Sequence, residues 1–198
     1  MISFSLLAKE IDFKNIDILM FTSKQAVVSV NKINKAWKNY PCIAIGEATK
    51  KKIEELDGEV LYSPKSFYSE LLAQDIKKNF ANKRLLYLRP KEVSFDSKGY
   101  LTKQGIELKE TIIYETSCIK YLKKQKPLPN AIIIFTSPST IRCFFNNFDW
   151  DSSYTAVLIG KATQKHLPFY CEYVVSDEPL INACVEKALK IRRNNRKE

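Results

Sequence analysis

A single histidine, His166, stands in 198 residues. With one imidazole, the chain has little material for a Ser/His/Asp triad or a histidine-rich metal site. The five cysteines (Cys42, Cys118, Cys143, Cys171 and Cys184) are odd in number, lie far apart and form no C-x-x-C pair. That spacing excludes a zinc ribbon and argues against a disulfide framework. They read as reduced, partly buried thiols of a cytosolic protein. Glycine and proline are scarce, at 5 and 8 residues, which excludes a linker, a collagenous chain or a low-complexity tract. Apolar runs such as Ala131 to Phe135 are only four to five residues long, far short of the roughly 20 needed to cross a bilayer, so a soluble protein is expected. The opening MISFSLLAKEIDF has no basic region before its apolar run, unlike a signal peptide, and reads as a strand already in progress. Neither G-x-G-x-x-G nor a Walker sequence occurs, so no nucleotide cofactor is indicated.

What is present is a globular composition with a basic bias. Hydrophobic residues make up 45% and aromatics 12%, while Lys+Arg 32 against Asp+Glu 22 leaves a net charge of +10. A chain of this size makes one large domain or two small ones and buries about 70% of its unfolded surface. The charge attracts anions: nucleic acid, a membrane surface or a small polyanion. Basic residues cluster at Lys50 to Lys52, Lys120 to Lys126 and Lys190 to Glu198. No nucleic-acid reader motif accompanies them, and the last cluster suits a helix C-terminus.

Short apolar runs alternate with longer amphipathic ones. Strands are expected at Asp17 to Phe21, Cys42 to Ile45, Glu59 to Tyr62, Arg84 to Leu88, Thr111 to Tyr114, Ala131 to Phe135, Ala156 to Ile159 and Tyr173 to Ser176. Helices are expected at Lys24 to Asn34, Glu47 to Asp57, Ser66 to Phe80 and Glu178 to Arg192. In the third, Phe67, Leu71, Leu72, Ile76 and Phe80 form a core face at helical spacing. The alternation indicates parallel sheets covered on both sides.

The pattern also repeats. FTSKQAV from Phe21 and AIGEAT from Ala44 return as FTSPSTI from Phe135 and LIGKAT from Leu158, at a constant offset of 114 residues. Phe21 to Gly46 and Phe135 to Gly160 are both 25 residues apart. Two motifs keeping one separation imply two similar α/β modules. Each Phe-Thr-Ser puts hydroxyls at the carboxyl end of a parallel strand and the start of a helix, where open α/β sheets bind ligands and where free amides attract anions. The simpler reading of Ser23 and Ser137 is a pair of helix N-caps. In each Gly-x-x-Thr string the glycine permits a tight turn and the threonine faces the same end of the sheet; the simpler reading there is a turn and a capped helix.

The doubled FTS and Gly-x-x-Thr pattern, with YLRP at Tyr87 to Pro90, Gly105 in KQGIELKE, and Tyr114 in IIYETS, resembles the uroporphyrinogen-III synthase family over almost the whole chain. The resemblance implies two similar flavodoxin-like parallel-sheet α/β domains joined by a two-stranded ladder, with a cleft between them. The first domain is discontinuous, residues 1–13 plus 115–198, and the second is inserted, residues 14–114. Family members open with a strand and helix that precede the segment read here as ISFSLL, so the first domain is expected to lack that unit. The implied reaction closes linear hydroxymethylbilane to uroporphyrinogen III, inverting the last ring and losing water, by a hydro-lyase with no metal and no other cofactor. Positioning outweighs acid-base work in such a closure. On the motif, Tyr114 is the group that helps the hydroxyl leave. Thr22, Ser23, Thr49, Ser137, Ser139 and Thr163 are the expected carboxylate-binding residues, with Arg89 and Lys161 as charged partners. Arg89 reads equally well as a structural ion pair, and His166 as a surface or capping residue without a catalytic role. A cytoplasmic monomer that binds neither nucleic acid nor membrane is expected. Two readings stay open beside the enzyme: a non-catalytic polyanion-binding module of the same fold, and a nucleic-acid-binding protein.

Overall fold

The computed structural model describes residues 1–64, 69–93 and 96–194, with side chains except at 69–73 and 194. Its strands are β1 (Ile2–Leu6), β2 (Ile18–Phe21), β3 (Cys42–Ala44), β4 (Val60–Tyr62), β5 (Leu85–Pro90), β6 (Leu108–Cys118), β7 (Ile132–Phe135), β8 (Thr155–Leu158) and β9 (Tyr173–Val175). The helices are α1 (Lys24–Ile33), α2 (Glu47–Glu55), α3 (Ser69–Phe80), α4 (Ser97–Lys103), α5 (Pro138–Phe145), α6 (Lys161–Gln164) and α7 (Ile181–Asn194). Phe67 and the side chains of Leu71 and Leu72, expected on a core face, lie outside the described residues; Ile76 of that face is buried and Phe80 packs against the same core.

The chain divides into two compact units. The larger is Phe4–Thr116, and the smaller combines Met1–Ser3 with Ser117–Glu198. Residues 4–13, assigned from the sequence to the discontinuous domain, therefore go with the larger unit. The reason is packing: Ile11 and Phe13 join the core cluster of Leu19, Phe21, Leu86 and Ile113.

In the larger unit the sheet runs β1-β6-β5-β2-β3-β4. β2 pairs in parallel with both β3 and β5, and β5 in parallel with β6. All four residues of β2 are buried because both faces are covered, as a continuous apolar run requires. Leu19 and Phe21 face one core, with Leu86, Leu88, Ile113 and Tyr114. Ile18 and Met20 face the other, with Ile43, Ile76, Leu85 and Tyr87. On the first face α1 buries Ala26, Val27 and Val30, an i, i+1, i+4 stripe. Trp37 fills the space beyond it, donating its indole proton to Asn31 Oδ1 at 3.2 Å. Gly58 makes room for that indole, since a Cβ there would lie 2.5 Å from the Trp37 ring.

The smaller unit has three parallel strands in the order β7-β8-β9. Phe135, Ile141, Phe144, Phe148, Tyr154, Ala156 and Leu158 form its core. β7 corresponds to β2 in the repeat yet has β8 as its single strand neighbour in this sheet among the described residues. Ile132, Ile133 and Ile134 are accordingly half-buried where the residues of β2 are fully buried. The expectation that all cysteines are reduced is corrected here: Cys118 at the end of β6 and Cys143 on α5 form a disulfide, with Cα atoms 5.0 Å apart. β6 runs on to Cys118, past the expected end at Tyr114, and so brings that thiol to the helix. Cys42, Cys171 and Cys184 are free and buried. Among the described residues no helix is long and apolar enough to cross a membrane.

Candidate functional site

In the larger unit the first site elements are the carboxyl ends of β2 and β3, which are neighbours in the sheet. Ile45 N–H donates to Phe21 O at 2.9 Å and ties the two strand ends together. Beyond β2 the chain turns into α1 through Ser23, whose backbone is extended and whose hydroxyl accepts the Ala26 amide at 3.1 Å. This is an N-cap, as the simpler sequence reading had it. It is also more, because the Tyr114 hydroxyl lies 2.9 Å from the same Ser23 oxygen. One residue earlier, Thr22 Oγ1 lies 2.7 Å from the Tyr87 hydroxyl.

Alternation along β2 explains how two tyrosines reach two adjacent residues. Met20 and Phe21 point to opposite faces of the sheet, and Thr22 and Ser23 continue that alternation. Tyr87, in register with Met20 on β5, comes from the Met20 face. Tyr114, on β6, comes from the Phe21 face, where its ring meets Phe4 edge-on at 5.8 Å. Tyr87 and Tyr114 are 3% and 4% exposed, while Thr22 and Ser23 are half-buried. Burial pushes both phenols above their ordinary range, opposed by the hydrogen bonds they share with Thr22 and Ser23. Both therefore hold their protons at neutral pH. The sequence singled out Tyr114 and passed over Tyr87. Its position in YLRP was visible, but its pairing with Thr22 depends on a strand register that no local pattern reveals.

Arg89 is engaged by the protein itself. Its Nε lies 3.3 Å from Glu110 Oε1, with side chains 17% and 16% exposed, and Nη1 donates to the carbonyls of Pro90 and Lys91. That is the structural ion pair the sequence left open. Thr49 is 3% exposed and sits in the first turn of α2, its amide bonded to Gly46 O at 2.9 Å.

The smaller unit repeats this backbone with different side-chain partners. Ile159 N–H donates to Phe135 O at 3.0 Å, and Thr163 N–H to Gly160 O at 3.0 Å, each 114 residues beyond its counterpart. Ser137 Oγ caps α5 by accepting the Thr140 amide, and Thr140 Oγ1 accepts the Ser137 amide in return, completing a capping box. In the first copy the place of Thr140 is taken by Ala26, and the phenol of Tyr114 supplies the side-chain partner. Ser139 is half-buried, Lys161 exposed and Thr163 3% exposed. His166 is exposed just past α6. Among the described residues no group of three or more His, Cys, Asp or Glu is placed to hold a metal ion.

The family model described as Uroporphyrinogen-III synthase HemD matches residues 3–186. The chain belongs to the uroporphyrinogen-III synthase family. A solved uroporphyrinogen-III synthetase from Helicobacter pylori 26695 is similar at 28% identity and a TM-score of 0.76, covering 96% of this chain and 90% of that one. A mutant uroporphyrinogen III synthase from the extremely thermophilic bacterium Thermus thermophilus shares 13% identity at a TM-score of 0.59, covering 93% of this chain and 80% of that one. The latter likeness is one of fold. A search of curated protein sequences returns no match. Membership connects the chain with tetrapyrrole biosynthesis.

Proposed function

We propose that this protein closes hydroxymethylbilane to uroporphyrinogen III, with inversion of the last pyrrole ring and loss of water. The observation that carries the reading is the Ser23–Tyr114 pair, 2.9 Å apart at the end of β2, in a chain matched by the family model over residues 3–186. Ser23 Oγ already accepts the Ala26 amide, and the buried phenol needs an acceptor for its proton. With Tyr114 donating to Ser23, the single serine proton is directed outward to the ligand.

The electron-rich terminal pyrrole expels the hydroxyl from its methylene as the C–O bond breaks. Ser23 gives its proton to the departing oxygen, forming water, while the Tyr114 proton moves to Ser23. The azafulvenium cation is attacked by the substituted carbon of the terminal ring, and the spiro intermediate fragments and recloses in the inverted sense. The proton lost when the final ring regains aromaticity restores the Ser23–Tyr114 pair, so the step balances. Tyr114 thus acts as the proton source behind Ser23. The contribution of such a donor is on the order of 100-fold; the larger task is holding the chain for inversion.

For the carboxylates we assign Thr22 in the larger unit and Ser137, Ser139 and Lys161 in the smaller, with the first-turn amides of α1, α2 and α5; Ser23 is kept for the departing hydroxyl. Thr49 and Thr163, both 3% exposed, serve by shaping the turns that present those amides. Arg89 shapes the site through Glu110. No cofactor is required for this chemistry.

The test supplies hydroxymethylbilane and resolves the isomers formed. Isomer III above the uncatalysed background supports the reading, and isomer I alone rejects it.

A further inference from the structure

The two copies of the repeat differ in one respect that the reaction above leaves unused. Thr22 is held by Tyr87, 2.7 Å away, whereas its counterpart Thr136, 114 residues on, has among the described residues no strand beside it to carry such a residue. Tyr87 comes from β5, which borders β2 on the side away from β3. Among the described residues β7 borders β8 alone in its sheet. The Tyr87–Thr22 bond is therefore particular to one copy, and it adds to the end of β2 a second hydroxyl pair from the opposite sheet face.

The direction of that bond follows from burial. Tyr87 is 3% exposed and Thr22 is half-buried. If Thr22 donated to Tyr87, the phenolic proton would itself need an acceptor in the interior, where an unpaired donor costs about 1–3 kcal/mol. With Tyr87 donating, the remaining proton belongs to the more accessible threonine. Burial also keeps the phenol protonated at neutral pH. Arg89, two residues on from Tyr87 on β5, pairs with Glu110 of the neighbouring β6, the residue in register with Tyr87.

We propose that Tyr87 is a positioning residue of this site: by donating to Thr22 Oγ1 it fixes the threonine as an outward hydrogen-bond donor for a ligand carboxylate. This rests on the function proposed above, since it assumes a polycarboxylate at the end of β2. A carboxylate accepts hydrogen bonds and cannot donate them, so a hydroxyl whose lone pair is already satisfied from within, and whose proton faces out, is matched to it. A threonine free to rotate would spend part of its time presenting oxygen to oxygen.

The experiment compares the full chain with Tyr87→Phe, Thr22→Val, the double variant and Thr22→Ser. Two readouts are taken: kcat and KM with hydroxymethylbilane, and fluorescence titration with uroporphyrin III as an octacarboxylate probe. Tyr87→Phe is expected to raise KM and weaken uroporphyrin binding about 5–10-fold, the order of one neutral hydrogen bond, with kcat changed less than about twofold. The double variant is expected to match Thr22→Val, because the tyrosine acts through the threonine, and Thr22→Ser to recover most of what Thr22→Val loses. Independent, multiplicative losses overturn the proposal, as does a Tyr87→Phe protein that folds and binds like the parent. If Tyr87→Phe fails to fold, equal binding by Thr22→Ser and Thr22→Val overturns it instead. The two readings fail separately. A protein that makes no isomer III but shows the coupling with uroporphyrin loses the synthase assignment and keeps Tyr87. One that makes isomer III without the coupling keeps the assignment and loses Tyr87.

Discussion

Arg89 on β5 and Glu110 on β6 meet diagonally across two parallel strands, Nε to Oε1 3.3 Å, both side chains more than four-fifths covered. Glu110 is opposite Tyr87 in the register, two residues before the partner of Arg89. Removing one member leaves the other charge poorly solvated. Glu110→Gln is therefore expected to lower stability by on the order of 2 kcal/mol, read as a shifted denaturation midpoint, with a smaller change in KM. A variant of unchanged stability and sharply raised KM would return Arg89 to the role of ligand contact.

Tyr114→Phe tests the proton source. The rate of isomer III formation is expected to fall about 100-fold while the fold is kept, since ring packing against Phe4 does not need the hydroxyl. The pH dependence follows from the raised phenol. The wild-type rate should hold through about pH 10, the ordinary tyrosine value, and decline above it. The Phe variant should lack that decline. Equal rates and equal pH profiles would remove Tyr114 from the chemistry.

The two Gly-x-x-Thr turns are an internal control on backbone strain. Gly46 has φ 91°, a conformation that costs an L-residue roughly 1–2 kcal/mol. Gly160 has φ 174°, ordinary extended backbone, and a Cβ there would meet nothing within 4 Å. Gly46→Ala is expected to destabilise by that amount, and Gly160→Ala to be near neutral. Thermal denaturation of the pair decides, and equal effects would contradict the difference in geometry.

The Cys118–Cys143 disulfide closes a loop of sequence separation 25. For a loop of this order, cross-linking stabilises by about 3 kcal/mol. Cys143→Ser is expected to lower the melting temperature, and reductant to do so in the wild type but not in the variant. A wild-type protein with all its thiols free by mass spectrometry after alkylation would contradict it.

Acid stability has a specific contributor. Arg84 grips Asp17 through Nε and Nη2 at 3.0 and 2.7 Å and through its backbone amide at 2.8 Å. Those side-chain and backbone bonds hold the Asp17 carboxyl well below the usual range, against a smaller opposing effect of burial. Because the folded value is depressed, the contribution is present above the unfolded pKa of about 4 and is lost as pH falls toward the folded value. Asp17→Asn is expected to narrow its stability gap from wild type steadily below about pH 4; a gap independent of pH would refute this.

These elements also separate what the sequence made legible from what it did not. Apolar runs located β2, β3, β5 and β8 to within a residue or two, because buried parallel strands must be continuously apolar; β7 and β9 showed the same apolar runs though they are only partly buried. The repeat was visible because its motifs are local: a strand end, a cap and a turn occupy a few consecutive residues. The partners of those motifs are not local. Tyr87 reaches Thr22 across 65 residues of sequence, Glu110 meets Arg89 through strand register, and Cys118 meets Cys143 because β6 runs beyond its most apolar stretch. Thr49 and Thr163 looked like ligand contacts from their motif, yet an amphipathic first turn buries them. Ser23 and Ser137 carried the same signal, and only their surroundings, a phenol in one case and Thr140 in the other, give them different chemistry.

The half-covered isoleucines of β7 set a condition on handling the protein. An apolar strand with, among the described residues, a strand neighbour on one side in its sheet, and without a lysine or proline in its four residues, offers backbone donors and acceptors that another extended segment can satisfy. Intermolecular pairing is second order in protein, whereas folding is first order. Yield on refolding should therefore depend on dilution more than on temperature, and segment 131–135 is where intermolecular strand growth would start.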